Sequence, residues 1–442
     1  MSLSKSRFLK NTFILTCTGF LTRLMGFFYR IFLSRSIGAQ GLGIYQLITP
    51  VEIFAMALTS SGIQAAISRI CASRLALHDA KKARDIFVCA TGFSLFVSVC
   101  MAFLCFRYAP FLAIRIIKEP AVCPLLRLLS FCIPLSVFHN CVKSYFFALK
   151  QTSLPSGIQL LEQITRIGSC YLFYRILLSE NKAVTPLIAV AGTLTGEIAA
   201  VLASMFAIHI QIVCRQNLSF LPATVKTSLS EIAQMAFPFT LNKVLLSLLG
   251  SIEMFLIPQM LIRSGCSRPD ALSIYGIFTG MALPLILFPA TISNSLSAML
   301  MPSIAELTAL GHFHRIRNAV IQTCYCCLAL GALCLLGFFF MGDFAGMLLF
   351  HSNTAGTFIR TLSFVCPFLY LNTALCAILQ GLGKTSRCLV HSLVSVCTRI
   401  LSVVLLIPHI GIRGYFYGIL CSELLLCVLH LTALFTKNIR KK

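Results

Sequence analysis

Long apolar stretches separated by short, basic loops run through the chain from one end to the other. They fall at roughly 8–37, 43–72, 84–108, 123–149, 155–178, 185–214, 229–262, 269–303, 315–341, 355–381, 386–408 and 413–436. A helix crosses the hydrocarbon core with ~20 residues, so most of these stretches are long enough to span with some tilt. Prolines inside them, at Pro50, Pro134, Pro238, Pro284, Pro289 and Pro367, each remove a helical hydrogen bond and predict kinks. The expected fold is all-α: a polytopic membrane protein of about 12 transmembrane helices.

The pattern also repeats. Leu128–Pro134 reads L-L-S-F-C-I-P and Thr361–Pro367 reads T-L-S-F-V-C-P, each directly after an arginine, Arg127 or Arg360. At the same offset Thr165-Arg166-Ile167 falls on Thr398-Arg399-Ile400, Arg84 on Arg317, Ala72 on Ala305 and Ala65 on Ala298. After a loop shortened by seven residues, Gly192–Glu197 (G-T-L-T-G-E) matches Gly418–Glu423 (G-I-L-C-S-E). The chain therefore reads as two six-helix lobes, residues 1–220 and 221–442. Six is an even number, so both lobes insert with the same orientation. Parallel repeats of this kind are expected around a central cavity, with the substrate site between them.

Charges at membrane depth stand out against this background. Arg23 and Arg30 are seven residues apart, about two turns, and so lie near one face of the first helix. A cation at that depth costs ~2.5–3.5 kcal/mol on insertion scales unless it faces water or a partner. Two on one face suggest a cavity that receives something anionic. The alternative is that Arg23 pairs with a carboxylate and Arg30 snorkels to the interface. The other charges in or near spans are Glu52, Lys143, Glu162, Arg166, Glu197, Lys243, Glu253, Arg399 and Glu423. Glu162 and Arg166 have the acid-first i,i+4 order that favours pairing. Arg399 repeats the arginine, but Ser395 stands where Glu162 would be, so Arg399 needs another carboxylate. Glu197 and Glu423, equivalent in the repeat, are expected to pair helix to helix with the two arginines. Glu162, Arg166, Glu197, Arg399 and Glu423 thus read as structural or coupling charges. The unmatched Arg23, Arg30, Glu52, Lys243 and Glu253 read as the substrate-binding set. His139 lies in the fourth stretch and is expected as a hydrogen-bonded interior residue.

Composition narrows the function classes. Of 442 residues 58% are hydrophobic and 11% charged, more apolar than a soluble domain requires. The net charge of +23 would suggest nucleic acid in a soluble protein. Here the basic residues sit in loops, which excludes that reading and orients the helices instead. The N-terminal tail, Arg69, Arg74, Lys81, Lys82, Arg84, Lys150, Arg215, Lys226, Arg315, Arg317, Lys384, Arg387, Lys437, Arg440, Lys441 and Lys442 fall on one side. Glu119, Glu180, Asp270 and Asp343 fall on the other. Both termini are therefore expected in the cytoplasm, with the protein in the cytoplasmic membrane. Lys5, Arg7 and Lys10 resemble the start of a signal peptide, but the apolar run after them is too long and reads as a retained first helix. The 21 cysteines lie mostly inside apolar stretches, as Cys17, Cys89, Cys170, Cys376 and Cys397 do, and are expected to act as small packing residues. Cys324, Cys326 and Cys327 lack CxxC spacing, and His312 and His314 lie too far off to share an ion with them, so no metal or cofactor is expected. There is no HExxH, GxSxG or Walker-type loop, and the chain is not expected to be an enzyme.

The opening region T-R-L-M-G-F-F-Y-R, then I-G-A-Q-G-L-G-I-Y-Q-L, Pro50, and S-G-I-Q-A-A-I-S-R at Ser61–Arg69, resembles a known family. It is similar to the stage V sporulation protein B and polysaccharide biosynthesis family of the multidrug/oligosaccharidyl-lipid/polysaccharide exporter superfamily, across essentially the whole chain. The resemblance implies two six-helix lobes around a cavity. It also implies flipping of lipid-linked saccharides, such as peptidoglycan precursors, with lipid-linked saccharide pyrophosphate and membrane lipids as partners. The family's lipid II flippases carry cavity arginines in the first helix. Arg23, within R-x-x-G-F, matches one; Arg30 is displaced by one residue from the other, where this chain has Tyr29. Their second-helix arginine falls on Gln46.

Three alternatives remain at this point, one of them a non-transporting scaffold for sporulation or envelope proteins. A cation-coupled multidrug exporter of the same fold would use a buried carboxylate such as Glu52 or Glu162 to bind its coupling cation, although a cationic cavity repels cationic drugs. A membrane-embedded transferase would need clustered acid/base or metal-ligating residues near one interface.

Overall fold

A computed structural model describes the backbone of residues 2–215 and 225–435 and, apart from 2–16, 214, 215, 226, 298, 299, 302, 309, 313 and 435, their side chains. The basic tail Lys437, Arg440, Lys441 and Lys442 lies outside the described residues, as do the side chains of Lys5, Arg7, Lys10, Arg215, Lys226 and Ala298.

The described residues form helices and their connections, with no strand among them. In chain order the long helices are α1 (Ser2–Gln46), α2 (Thr49–Ala76), α3 (Ala80–Arg107), α4 (Pro120–Ala148), α5 (Ser153–Ser179), α6 (Leu187–Val213) and α7 (Val225–Arg263). Then follow α8 (Arg268–Leu287), α9 (Ala290–Ala309), α10 (Phe313–Phe350), α11 (Asn353–Gly381), α12 (Thr385–Ile410) and α13 (Ile412–Phe435). Ten helices among the described residues are long and apolar enough to cross a membrane. α1 and α5 complete the set expected from the sequence. α5 carries Glu162, Arg166 and Arg175, charges that a helix surrounded by lipid would not hold. α8 and α9 together occupy the single stretch expected at 269–303. Pro289 separates them, because its ring denies the backbone a donor and favours the start of a new helix.

Helix interruptions follow sequence. Pro50 opens α2, and a π-helical turn at Ala57–Ser61 follows in the same helix. A second π-turn, Ile277–Ala282, precedes Pro284 in α8. Pro367 follows a tight 3₁₀ turn, Ser363–Val365, in α11. The break in α1 is not at a proline. Gly38 has φ 70° and ψ 177°, a conformation closed to other residues, and the helix resumes beyond it to Gln46. The second span accordingly starts at Thr49 rather than near residue 43.

The chain divides into two compact units, Met1–Tyr29 with Ile44–Ser251, and Arg30–Gly43 with Ile252–Lys442. In the first, Ile67, Phe87, Tyr145 and Phe146 form part of a core closed by Ile212 and Ile232. The side chain of Arg84 is buried in this unit against Asp85, so it is a paired interior group and not one of the loop charges. In the second, Ile304, Ile316, Leu375, Ile378 and Leu434 pack α9, α10, α11 and α13 together. The segment 30–43 joins this unit because glycines let it approach α8 closely. A Cβ on Gly43 would lie 2.1 Å from the Leu272 carbonyl oxygen, and one on Gly276 would lie 2.1 Å from that of Ala39. In α10 only 11% of the most apolar window is buried, and Leu333, Phe340 and Phe344 project outward. Apolar side chains that cover so little protein are in place only against lipid. Cys376, expected as a packing residue, is instead bonded to Cys388 across the turn from α11 to α12.

Candidate functional site

The repeat puts matching ion pairs in the two units. In the first, small residues bring α5 and α6 together: a Cβ at Gly192 would meet the Arg166 carbonyl oxygen at 2.9 Å, and one at Gly196 that of Glu162 at 2.9 Å. Arg166 then reaches Glu197 at 4.0 Å and pairs closely with Glu162 one turn before it. In the second, Gly418 lies against Ser402, and Arg399 on α12 stands 4.0 Å from Glu423 on α13.

The repeat extends to a position the sequence reading did not pair. His139 and Asn372 are separated by the same offset as Arg166 and Arg399. His139 Nδ1 stands 3.0 Å from Glu197 Oε2, and Asn372 Nδ2 donates to Glu423 Oε2 at 2.7 Å. The first unit thus has a titratable group where the second has an amide.

The surroundings of these pairs differ more. In the second unit Glu253, which is 1% exposed, accepts from Arg399 Nε at 2.7 Å and from the Tyr415 hydroxyl at 2.7 Å. Glu253 is therefore the carboxylate that Arg399 lacks when Ser395 replaces a glutamate, and the structure places it buried against the half-buried Arg399. In the first unit the pair faces a hollow of about 350 Å³. Arg23 and Thr22 of α1, Glu52 and Met56 of α2, and Glu197 of α6 line it. From α4 come Ser136, His139, Asn140 and Lys143, spaced at i, i+3, i+4 and i+7. From α5 come Gln159, Glu162, Gln163 and Arg166. A second hollow of about 640 Å³ shares Glu52 and Met56 and adds Lys243 and Ser247 of α7.

The charge balance of the first hollow is uneven in space. Arg166 is held between Glu162 and Glu197, and His139 stands between the same two carboxylates, 3.8 Å from Glu162 Oε2 through Nε2. Within the cluster one guanidinium faces two carboxylates, and His139 adds a second positive charge only when protonated. Arg23, Lys143 and Glu52 line the same hollow. Lys143 and Glu52 make no ion pair within 4.0 Å among the described residues, and the Lys143 ammonium lies 6.0 Å from the Phe147 ring centre. Arg23 and Lys143, with Asn140, Gln159 and Gln163 in the same lining, give the hollow groups that can donate hydrogen bonds to an anion or to hydroxyls.

The sequence-derived residues therefore separate. Arg23 and Glu52 line the first hollow, and Lys243 lines the second. Arg30 is half-buried, belongs to the other unit and lines neither hollow. Tyr29 is buried, as is Gln46, whose side-chain oxygen accepts from the Thr49 hydroxyl at 3.5 Å. Glu162 and Glu197 both contact Arg166, and all three also line the first hollow. Lys143 was passed over although the polar stripe along α4 marks it in sequence.

Comparison with known proteins agrees with this architecture. Residues 8–308 match the polysaccharide biosynthesis protein family. The chain is 26% identical to stage V sporulation protein B of Bacillus subtilis (strain 168), over 97% of this chain and 83% of that protein. It is 21% identical to lipid II flippase MurJ of the same organism, over 95% of this chain and 80% of that protein. Among solved structures it resembles an inward-facing multidrug resistance transporter of the MATE family in the MOP superfamily. The TM-score is 0.71 at 16% identity, covering 93% of each chain.

Proposed function

The chain belongs to the polysaccharide biosynthesis protein family of membrane transporters and flippases, and we propose that it moves a lipid-linked saccharide pyrophosphate across the cytoplasmic membrane. The observation that carries this reading is the hollow of the first unit, where Arg23 and Lys143 line the same space as Glu52 and the Glu162–Arg166–Glu197 cluster. Pyrophosphate oxygens would take charge-assisted hydrogen bonds from the Arg23 fork and the Lys143 ammonium. Gln159, Gln163 and Asn140 would meet sugar hydroxyls, while the lipid tail stays in the bilayer. Lys243, beyond Glu52, extends the same positive surface. The two compact units would be the bodies of an alternating-access cycle, with both termini facing the cytoplasm. The two Bacillus relatives are named for sporulation and for lipid II flipping, which supports a peptidoglycan or spore-cortex precursor as the cargo.

The carboxylates favour a second element of the same reading. Glu52, Glu162, Glu197 and His139 surround the hollow and would bind a coupling cation, a proton or sodium, whose release accompanies the movement of the anion. A multidrug exporter built on this fold would bring its cationic drugs against Arg23 and Lys143, which disfavour them.

Ligand-dependent stabilisation tests the binding step. Purified protein should melt at a higher temperature with a polyprenyl pyrophosphate-linked sugar, by ~2.7 kcal/mol of stabilisation at a hundredfold excess over Kd. The corresponding polyprenol, without phosphates, should give little. Equal stabilisation by both would mean that the pyrophosphate is not what the hollow recognises.

A further inference from the structure

At one end of the second unit, away from the ion pairs, α11, α12 and α13 bring two cysteines and two histidines together. Cys376 and Cys388 flank the α11–α12 turn, His391 follows Cys388 by three residues on the same face of α12, and His430 comes from α13. Both sulfurs and a ring nitrogen of His430 lie within 4.8 Å of one another. The His391 and His430 ring centres are 5.2 Å apart. His430 is 1% exposed, and neither of its ring nitrogens has a hydrogen-bond partner. An imidazole so buried and unsatisfied is costly unless something binds it. His391 Nδ1 is likewise buried without a partner. The Gln380 amide donates toward Cys376 Sγ at 3.4 Å and Cys388 Sγ at 3.9 Å, the kind of contact that steadies a metal-bound thiolate.

We infer that Cys376, Cys388, His391 and His430 form a binding site for a borderline-soft divalent cation, Zn2+ above all. The set is two sulfurs and two imidazoles, which suits tetrahedral zinc. Neighbouring ligand atoms in such a site stand about 3.3–3.8 Å apart. The two sulfurs and a His430 nitrogen already lie within 4.8 Å of one another. His391, its ring centre 5.2 Å from that of His430, would turn in as the fourth ligand. The sulfurs are bonded to each other in this structure. Lys384 and Arg387 mark this end as cytoplasmic in the orientation proposed above, and that compartment keeps thiols reduced. A dithiol reductant, itself oxidised to its disulfide, supplies two electrons and two protons to open the Cys376–Cys388 bond. Zn2+ then displaces two protons to solvent and binds both sulfurs as thiolates. Lys384 Nζ already donates to the Ala433 carbonyl at 2.8 Å, tying the turn to α13. The ion would fasten the three helices at the same end. No CxxC pair announces the site because its ligands come from three helices.

Full-length protein, reduced in detergent and passed through size exclusion, is titrated with Co2+, with a Cys376→Ser/Cys388→Ser variant as the background for the remaining cysteines. The expected result is one Co2+ per chain, with a thiolate-to-cobalt charge-transfer band and the strong visible bands of tetrahedral coordination, all displaced by Zn2+. His430→Gln and Cys388→Ser should each weaken Zn2+ competition at least ~100-fold while remaining monodisperse. Three outcomes would overturn the assignment: no band above that background in folded, reduced protein, bands unchanged in both variants, or a Cys376–Cys388 bond that survives reductant in the folded chain and leaves only a disulfide.

Discussion

Arg23→Ala should lower transport of a lipid-linked pyrophosphate about 100-fold while leaving expression and membrane insertion near wild type. Two charge-assisted hydrogen bonds at ~1.5 kcal/mol each correspond to that factor. Insertion should not suffer, because removing a cation from membrane depth eases it. Arg23→Lys keeps the charge and loses the planar fork, so partial transport is expected. Arg23→Gln should behave like alanine. The competing structural role, in which Arg23 serves only to neutralise Glu52 on α2, predicts something different. Arg23→Ala would then lower thermal stability, and a second change at Glu52 would restore it. Transport and melting temperature measured on both single variants and the double separate the two. Full transport by well-folded Arg23→Ala would remove the anion-binding role.

The largest effect on stability is expected in the other unit. Glu253→Ala leaves the Arg399 guanidinium and the Tyr415 hydroxyl without their shared acceptor, inside a pair in which Glu253 is 1% exposed. Removing one partner of a buried ion pair costs ~3–5 kcal/mol. Glu423, 4.0 Å from Arg399, is itself bound by Asn372 and cannot replace the short contact. Glu253→Gln should fall between, since an amide oxygen still accepts from Tyr415. Replacing both partners by leucine should recover most of the loss, because the cost lies in the orphaned charge. Thermal unfolding in detergent reads the wild type and all three variants. A Glu253→Ala protein as stable as wild type would mean that Arg399 is solvated and that the pair contributes nothing.

Much of this architecture is legible in the sequence because the bilayer imposes it. Apolar runs, their prolines and the basic loops between them specify helices with little room for another outcome. The repeat that aligns Arg166 with Arg399 and, after the shortened loop, Glu197 with Glu423 finds equivalent pairs in the folded units, 4.0 Å apart in each. What sequence spacing does not reveal is contact between distant helices. Glu253 looks unmatched along the chain, and it becomes Arg399's partner only when α7 packs near α12. Gly38 and Gly43 show no apolar irregularity, yet one turns the first helix and the other seats segment 30–43 on α8. His139 and Lys143 were readable from the polar stripe on α4, and the repeat offset that pairs His139 with Asn372 points to the same helix. The Cys376, Cys388, His391 and His430 cluster could not be read, because three helices contribute to it and the Cys388–His391 pair on α12 is too little to announce a site alone.

The central claim concerns which molecule crosses the membrane. Purified protein in sealed liposomes, with a fluorescent polyprenyl pyrophosphate-linked sugar placed in one leaflet, allows the opposite leaflet to be sampled by an impermeant quencher or sugar-specific enzyme. Wild-type protein should expose the labelled lipid at a rate well above protein-free liposomes, and Arg23→Ala should return that rate to near the baseline. A wild-type rate no different from empty liposomes under every imposed proton, sodium and voltage gradient would contradict the account.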